Sequence, residues 1–203
     1  MSWTGNGYSG PITIANGNRT TSALSIDGTA DYLNTYAYDS LGRETSVSQQ
    51  GQSGGDAVAP KLVDMNYNSD GQFTSINTYA DLAATENVVC AAYGYDGAGR
   101  LTSLSYTAQG NTLAGYTFGY NQYGEITSFV SSQYGTAEDL DYTYDAAGQL
   151  TAATNPNGPV EEEAYSYDAN GNRTNTGDVT GANNKLVSDG TFDYGSIKGV
   201  RTH

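Results

Sequence analysis

The residues best placed to do chemistry are carboxylates that recur at matched positions. Asp39, Asp96, Asp145 and Asp168 each follow a Tyr-x-Tyr segment. Paired carboxylates can support glycoside hydrolysis, but recurrence at the same point of a repeated segment marks a structural role. The other catalytic options are few. The single histidine, His203, is the last residue, where disorder is the ordinary state. A Ser–His or Cys–His pair is therefore not expected in a structured site. Cys90, the single cysteine, sits in the run Val88-Val89-Cys90-Ala91-Ala92 and reads as a buried small hydrophobe. Glu161-Glu162-Glu163 reads as a solvated like-charge loop. The sequence does not read as an enzyme.

Metal and modification motifs are also weak. Asp168-x-Asn170-x-Asn172 has the first, third and fifth positions of a calcium-binding EF-hand loop. Arg173 then replaces the required glycine, and no glutamate follows at the twelfth position. No metal or cofactor is expected. Asn18-Arg19-Thr20 and Asn172-Arg173-Thr174 match the N-glycosylation pattern, but both fall in a repeated turn, and coincidence is the simpler reading.

The elements that carry these residues are repeats. Tyr93-Gly94-Tyr95-Asp96-Gly97-Ala98-Gly99-Arg100-Leu101-Thr102 sets the pattern. Tyr36-Ala37-Tyr38-Asp39 with Gly42, Tyr142-Thr143-Tyr144-Asp145 with Gly148, and Tyr165-Ser166-Tyr167-Asp168 with Gly171 repeat it. Two copies carry asparagine instead: Tyr67-Asn68 with Gly71, and Phe118-Gly119-Tyr120-Asn121 with Gly124. A seventh, degenerate copy spans Ile12–Thr20 around Gly17, and shares Ala-Asn-Gly-Asn-Arg-Thr with Ala169–Thr174. The seven glycines are 23 to 29 residues apart.

Each copy reads as a β-hairpin. Alternation puts both rings of Tyr-x-Tyr on one strand face. The Asp or Asn closes an Asx-turn, and glycine three residues later supplies a positive φ. Polar connectors such as Gln49–Asp56 and Asn155–Pro159 read as surface loops. Asp81–Ala92 fits a short helix or a strand. An isolated hairpin is marginal in water, so the units must stack. The expected fold is all-β, with tandem antiparallel hairpins in a curved, twisted open sheet. The expected layout is a lead-in at 1–11, a repeat array at 12–195 and an irregular tail at 196–203. Phe192-Asp193-Tyr194-Gly195 looks like the start of an eighth copy, which suggests a fragment of something longer.

Composition limits the partners. Leu, Ile, Val and Phe make up about 15% of the chain and the net charge is −14, a balance usual for disorder. The 18 tyrosines offset this, since each ring buries a large apolar area. With 22 acids against 8 bases, no nucleic-acid partner is expected. No apolar run is long enough for a spanning helix, so membrane insertion is not expected, and the first residues do not read as a signal peptide.

These units resemble the YD repeats of the Rhs family, which also includes teneurins and the C component of insecticidal toxin complexes. The resemblance covers about residues 12–195. It implies a spiralling sheet that contributes to a hollow shell, enclosing a C-terminal toxin in bacterial members and belonging to an adhesion ectodomain in teneurins. It also implies a secreted or cell-surface setting, with further YD repeats, an enclosed effector or a glycan as partners. The family's Asp-Pro-x-Gly core signature has no counterpart here, no effector follows Gly195, and seven hairpins are too few to close a shell.

Overall fold

The computed structural model describes residues 2–5, 8–133, 136–156 and 162–194. The strands are β1 (Ser2–Gly5), β2 (Tyr8–Ala15), β3 (Asn18–Ile26), β4 (Thr29–Tyr38), β5 (Glu44–Gly51), β6 (Lys61–Tyr67), β7 (Phe73–Tyr79) and β8 (Asn87–Tyr95). They continue with β9 (Leu101–Ala108), β10 (Asn111–Tyr120), β11 (Ile126–Gln133), β12 (Thr136–Tyr144), β13 (Leu150–Thr154) and β14 (Glu163–Ala164). A separate pair, β15 (Asp178–Thr180) and β16 (Leu186–Asp189), flanks a short 3-10 turn at Ala182–Asn184. The protein is all-β, an open antiparallel sheet of successive hairpins.

The chain forms two compact units, 1–116 with 132–135, and 117–131 with 136–203. Strands β10 and β11 are divided between them. Hydrogen-bonded neighbours are sequence neighbours throughout β1 to β9 in the first unit and β12 to β14 in the second, with no crossover. The Asp81–Ala92 ambiguity resolves as a turn leading into a strand. The Asp81 carboxylate accepts the Thr85 and Glu86 amides, and β8 begins at Asn87.

Register gives the first unit two unlike faces. Tyr36, Val47, Val63, Thr78 and Val89 form one row across five strands. Met65, Ile76, Ala91 and Tyr106 form the next row on that face. The opposite face carries the row Ala37, Ser46, Asp64, Asn77, Cys90 and Thr107. One face is therefore apolar and aromatic, the other small and polar, as strand alternation requires. Among the described residues none is completely buried, and Ala91, 6% exposed, is the single buried hydrophobe. Cys90, expected to be buried, is half-buried because it falls on the small, polar face.

Two further expectations change. In Gln49–Asp56 the first three residues belong to β5, and the loop starts at Gln52. Asp31, 6% exposed, anchors that loop: its carboxylate accepts the Asp56 amide at 2.8 Å and its carbonyl accepts the Gln52 amide at 2.7 Å. Asn155 is buried at 6% exposure rather than on a surface loop, while 157–159 lie outside the described residues. Phe192-Asp193-Tyr194, read as the start of an eighth copy, is described only as far as Tyr194. It is the returning arm of a turn at Asp189, with the Tyr194 amide on the Val187 carbonyl; Gly195 and the tail 196–203 lie outside the described residues.

Candidate functional site

The repeat turns share one geometry. At Asp39, Oδ1 accepts the Leu41 amide at 2.9 Å and the Arg43 amide at 3.0 Å, while the Gly42 amide bonds the Asp39 carbonyl. Asn68, Asp96, Asn121, Asp145 and Asp168 each accept the same two amides, two and four residues on. The closing glycines Gly42, Gly71, Gly99, Gly124, Gly148 and Gly171 all have φ between 77° and 86°. This is a type I turn followed by a left-handed residue. One side-chain oxygen thus satisfies two amides that a three-residue loop would leave without partners.

A residue not singled out in the sequence completes the turn. At five of these six turns the side chain four residues after the Asp or Asn is its chemical complement. Asp39 and Asp96, acceptors only, face the guanidinium groups of Arg43 and Arg100, each at 2.7 Å, and Asp168 accepts the Asn172 amide at 2.8 Å. Asn68 and Asn121 instead donate to the side-chain oxygens of Gln72 and Glu125. The Asp/Asn alternation is therefore coupled to position five. The signal lay in the paired changes Asp…Arg and Asn…Glu. Electrostatics agrees. Burial alone would raise the Asp39 carboxyl, but the Arg43 guanidinium and the Arg43 and Leu41 amides hold it below the usual range. The Arg100 amide and guanidinium hold Asp96 down, and the Asn172 side-chain amide leads the same effect at Asp168.

The tyrosines join one hairpin to the one before. The hydroxyls of Tyr38, Tyr67, Tyr144 and Tyr167 donate to the carbonyls of Arg19, Glu44, Ile126 and Leu150, at 2.7–2.9 Å. Each acceptor stands two residues past the preceding turn glycine. Glu44 shows the cause. The β5–β6 pairing begins only at Ser46 and Asp64, so the Glu44 carbonyl is left outside the ladder and the ring reaches across to it. Position five adds a tie in the other direction: Arg43 donates to the Asn68 carbonyl at 3.2 Å, and Gln72 to the Gly99 carbonyl at 2.7 Å.

The repeat aromatics of both units are partly covered rings. Tyr36, Tyr38, Tyr67, Tyr93, Tyr95, Phe118, Tyr120, Tyr142, Tyr144, Tyr165 and Tyr167 are all half-buried. Tyr67 stacks on Phe73 at 4.7 Å, and Phe73 meets Tyr93 at 6.2 Å. Arg19, Arg43 and Arg173 lie over Tyr36, Tyr67 and Tyr165 at 4.2, 4.5 and 4.6 Å, close enough for cation–π attraction. In the second unit Phe118, Ile126, Phe129, Tyr142, Tyr144 and Leu150 line an open apolar depression of about 370 Å³. Each repeated aspartate is bonded within its own turn. Among the described residues no three His, Cys, Asp or Glu side chains converge to hold a metal ion, and no helix is long and apolar enough to cross a membrane.

A sheet built from hairpins that repeat both turn and inter-repeat tie defines a tandem-repeat scaffold. The Teneurin YD-shell family model matches residues 13–193. The chain belongs to that family. No curated protein matches it. Among solved structures, a porin-like protein from Bacteroides uniformis is 12% identical, over 77% of this chain and 91% of that one, with a TM-score of 0.22. At that score the likeness bears on neither fold nor function.

Proposed function

We propose that this chain is a non-catalytic section of a YD-repeat shell wall, in a secreted or cell-surface protein that encloses or presents a C-terminal effector. The repeat array spans 12–195 in this reading, and its nearest partners are further YD repeats of a longer polypeptide. One observation carries it: the first unit presents an aromatic face on which, among the described residues, only Ala91 is buried. Such a sheet draws its stability from the ladder and from neighbouring repeats rather than from a second layer. Every repeated carboxylate is also occupied in its own turn, which leaves the recurring residues with structural work. The test is the intact mass of the native product. A polypeptide several times larger than 21.3 kDa, with more repeats and a protease-protected C-terminal domain, is expected. A stable product of this size that acts alone overturns the reading.

A second reading, a carbohydrate-binding or adhesion module, is favoured by the half-exposed rings beside Asn and Gln side chains, a surface suited to stacking on sugar faces. A glycan array separates the two: saturable binding lost on Tyr142→Ala supports this module, and a blank array removes it.

A further inference from the structure

The hexapeptide Ala-Asn-Gly-Asn-Arg-Thr occurs twice, at Ala15–Thr20 and Ala169–Thr174, and the two copies fold differently. In the second, Asp168 precedes it and builds the three-residue turn. There the Gly171 amide donates to the Asp168 carbonyl at 3.0 Å, and the Asn170 amide to Asp168 Oδ1 at 2.8 Å. In the first, Ile14 stands where that aspartate would be and offers no acceptor. The loop tightens to two residues, with Ala15 paired directly to Asn18. Asn16 and Gly17 have φ of 51° and 83°, the mark of a type I′ turn. Both are exposed, open space surrounds Gly17, and in such a loop the hairpin bonds join the flanking residues, so the central Gly17 amide has no backbone partner.

We infer that Asn16–Gly17 is a self-modifying site, a deamidation turn, and that Asn170–Gly171 is shielded from the same reaction by its fold. The Gly17 amide nitrogen, losing its proton to solvent base, attacks Asn16 Cγ. The new C–N bond closes a succinimide ring, and Asn16 Nδ2 leaves as ammonia. Water then opens the ring at either carbonyl, giving aspartate or isoaspartate, so the sum is asparagine plus water to acid plus ammonia. At Gly171 the nucleophilic nitrogen is held in a hydrogen bond to the Asp168 carbonyl that must open first, and the amide of the reacting Asn170 is itself tied to Asp168 Oδ1. The product matters to the hairpin. Isoaspartate lengthens the backbone inside a loop whose register allows two residues, and either acid adds a negative charge to a chain already at −14.

The repeated hexapeptide supplies its own control. The intact chain is incubated in mildly alkaline buffer, in the folded state and in denaturant, and digested. Mass spectrometry and enzymatic methylation of isoaspartyl groups then score positions 16 and 170 separately. The expected result is deamidation at Asn16 about fivefold or more faster than at Asn170 in the folded chain, the factor that opening one backbone hydrogen bond imposes, with the two rates converging in denaturant. Equal or reversed rates in the folded chain overturn the assignment, as does failure of Asn16 to react. A difference that persists in denaturant also overturns it, because the cause would then be flanking sequence. The other Asn-Gly pairs, Asn6-Gly7 and Asn157-Gly158, are scored on separate peptides.

Discussion

At the scale of the residue, a pairing rule links the first and fifth positions of the turns at Asp39, Asn68, Asp96, Asn121 and Asp168. A carboxylate demands a donor opposite it, and a carboxamide that donates demands an acceptor. Asp96→Asn therefore aims an amide at the Arg100 guanidinium, and Arg100→Glu sets two carboxylates face to face. Each single change is expected to lower the thermal midpoint by a few degrees. The double change recreates the Asn121–Glu125 pairing and should recover most of the loss, which a thermal double-mutant cycle measures. Independent, additive losses would contradict the rule. The tyrosine tie is open to the same treatment. Tyr144→Phe removes the donor to the Ile126 carbonyl and should cost about 1 kcal/mol in denaturant unfolding, while Tyr123→Phe, at a ring 79% exposed, should cost nothing measurable.

At the scale of the element, the turn decides which glycines matter. Gly99 has a φ of 78° and Gly97 is not among the positive-φ glycines. Gly99→Val, a β-branched residue in a left-handed conformation, should destabilise by about 1–2 kcal/mol, and Gly97→Val, which meets open space, by under about 0.5 kcal/mol. Equilibrium unfolding of the two variants checks the order. The turn at Asp189 carries a pH signature. The Tyr194 hydroxyl, followed by the Phe192 and Thr191 amides, lowers Asp189 to about 2 from 3.8. Because the folded value is depressed, its contribution is complete above about 4 and is lost as pH falls through about 2. Tyr194→Phe should move the Asp189 titration upward, as read by carboxyl NMR.

These hairpins were largely legible in sequence, because the bonds that close each turn are local: the Asp or Asn side-chain oxygen and the Gly amide find their turn partners within four residues. What escaped notice was either conditional or distant. Ala15–Thr20 and Ala169–Thr174 are identical, and their turns diverge on the residue just before them, Ile14 or Asp168. The tyrosine hydroxyls find carbonyls 17 to 23 residues away, and periodicity shows that the rings share a face without showing what they touch.

At the scale of the whole molecule, composition and structure first look incompatible. A chain with so few aliphatic residues and so much negative charge should not fold. It folds because the backbone ladder, the Asx-turns and the tyrosine ties share the stabilisation, and the rings need only partial cover to contribute. The place where one hairpin meets the next is fixed by those ties, while the connecting segments differ widely: Asp27-Gly28 joins β3 to β4 in two residues, and residues 52–60 lie between β5 and β6. Position in the array is thus written in matched contacts rather than in the length of the tether. Genetic recombination can exploit that separation. A whole hairpin duplicated, deleted or traded between related genes arrives with its own tyrosine and its own waiting carbonyl, so each junction can knit in frame, and an array of this kind can change its size over evolutionary time without redesigning a single seam.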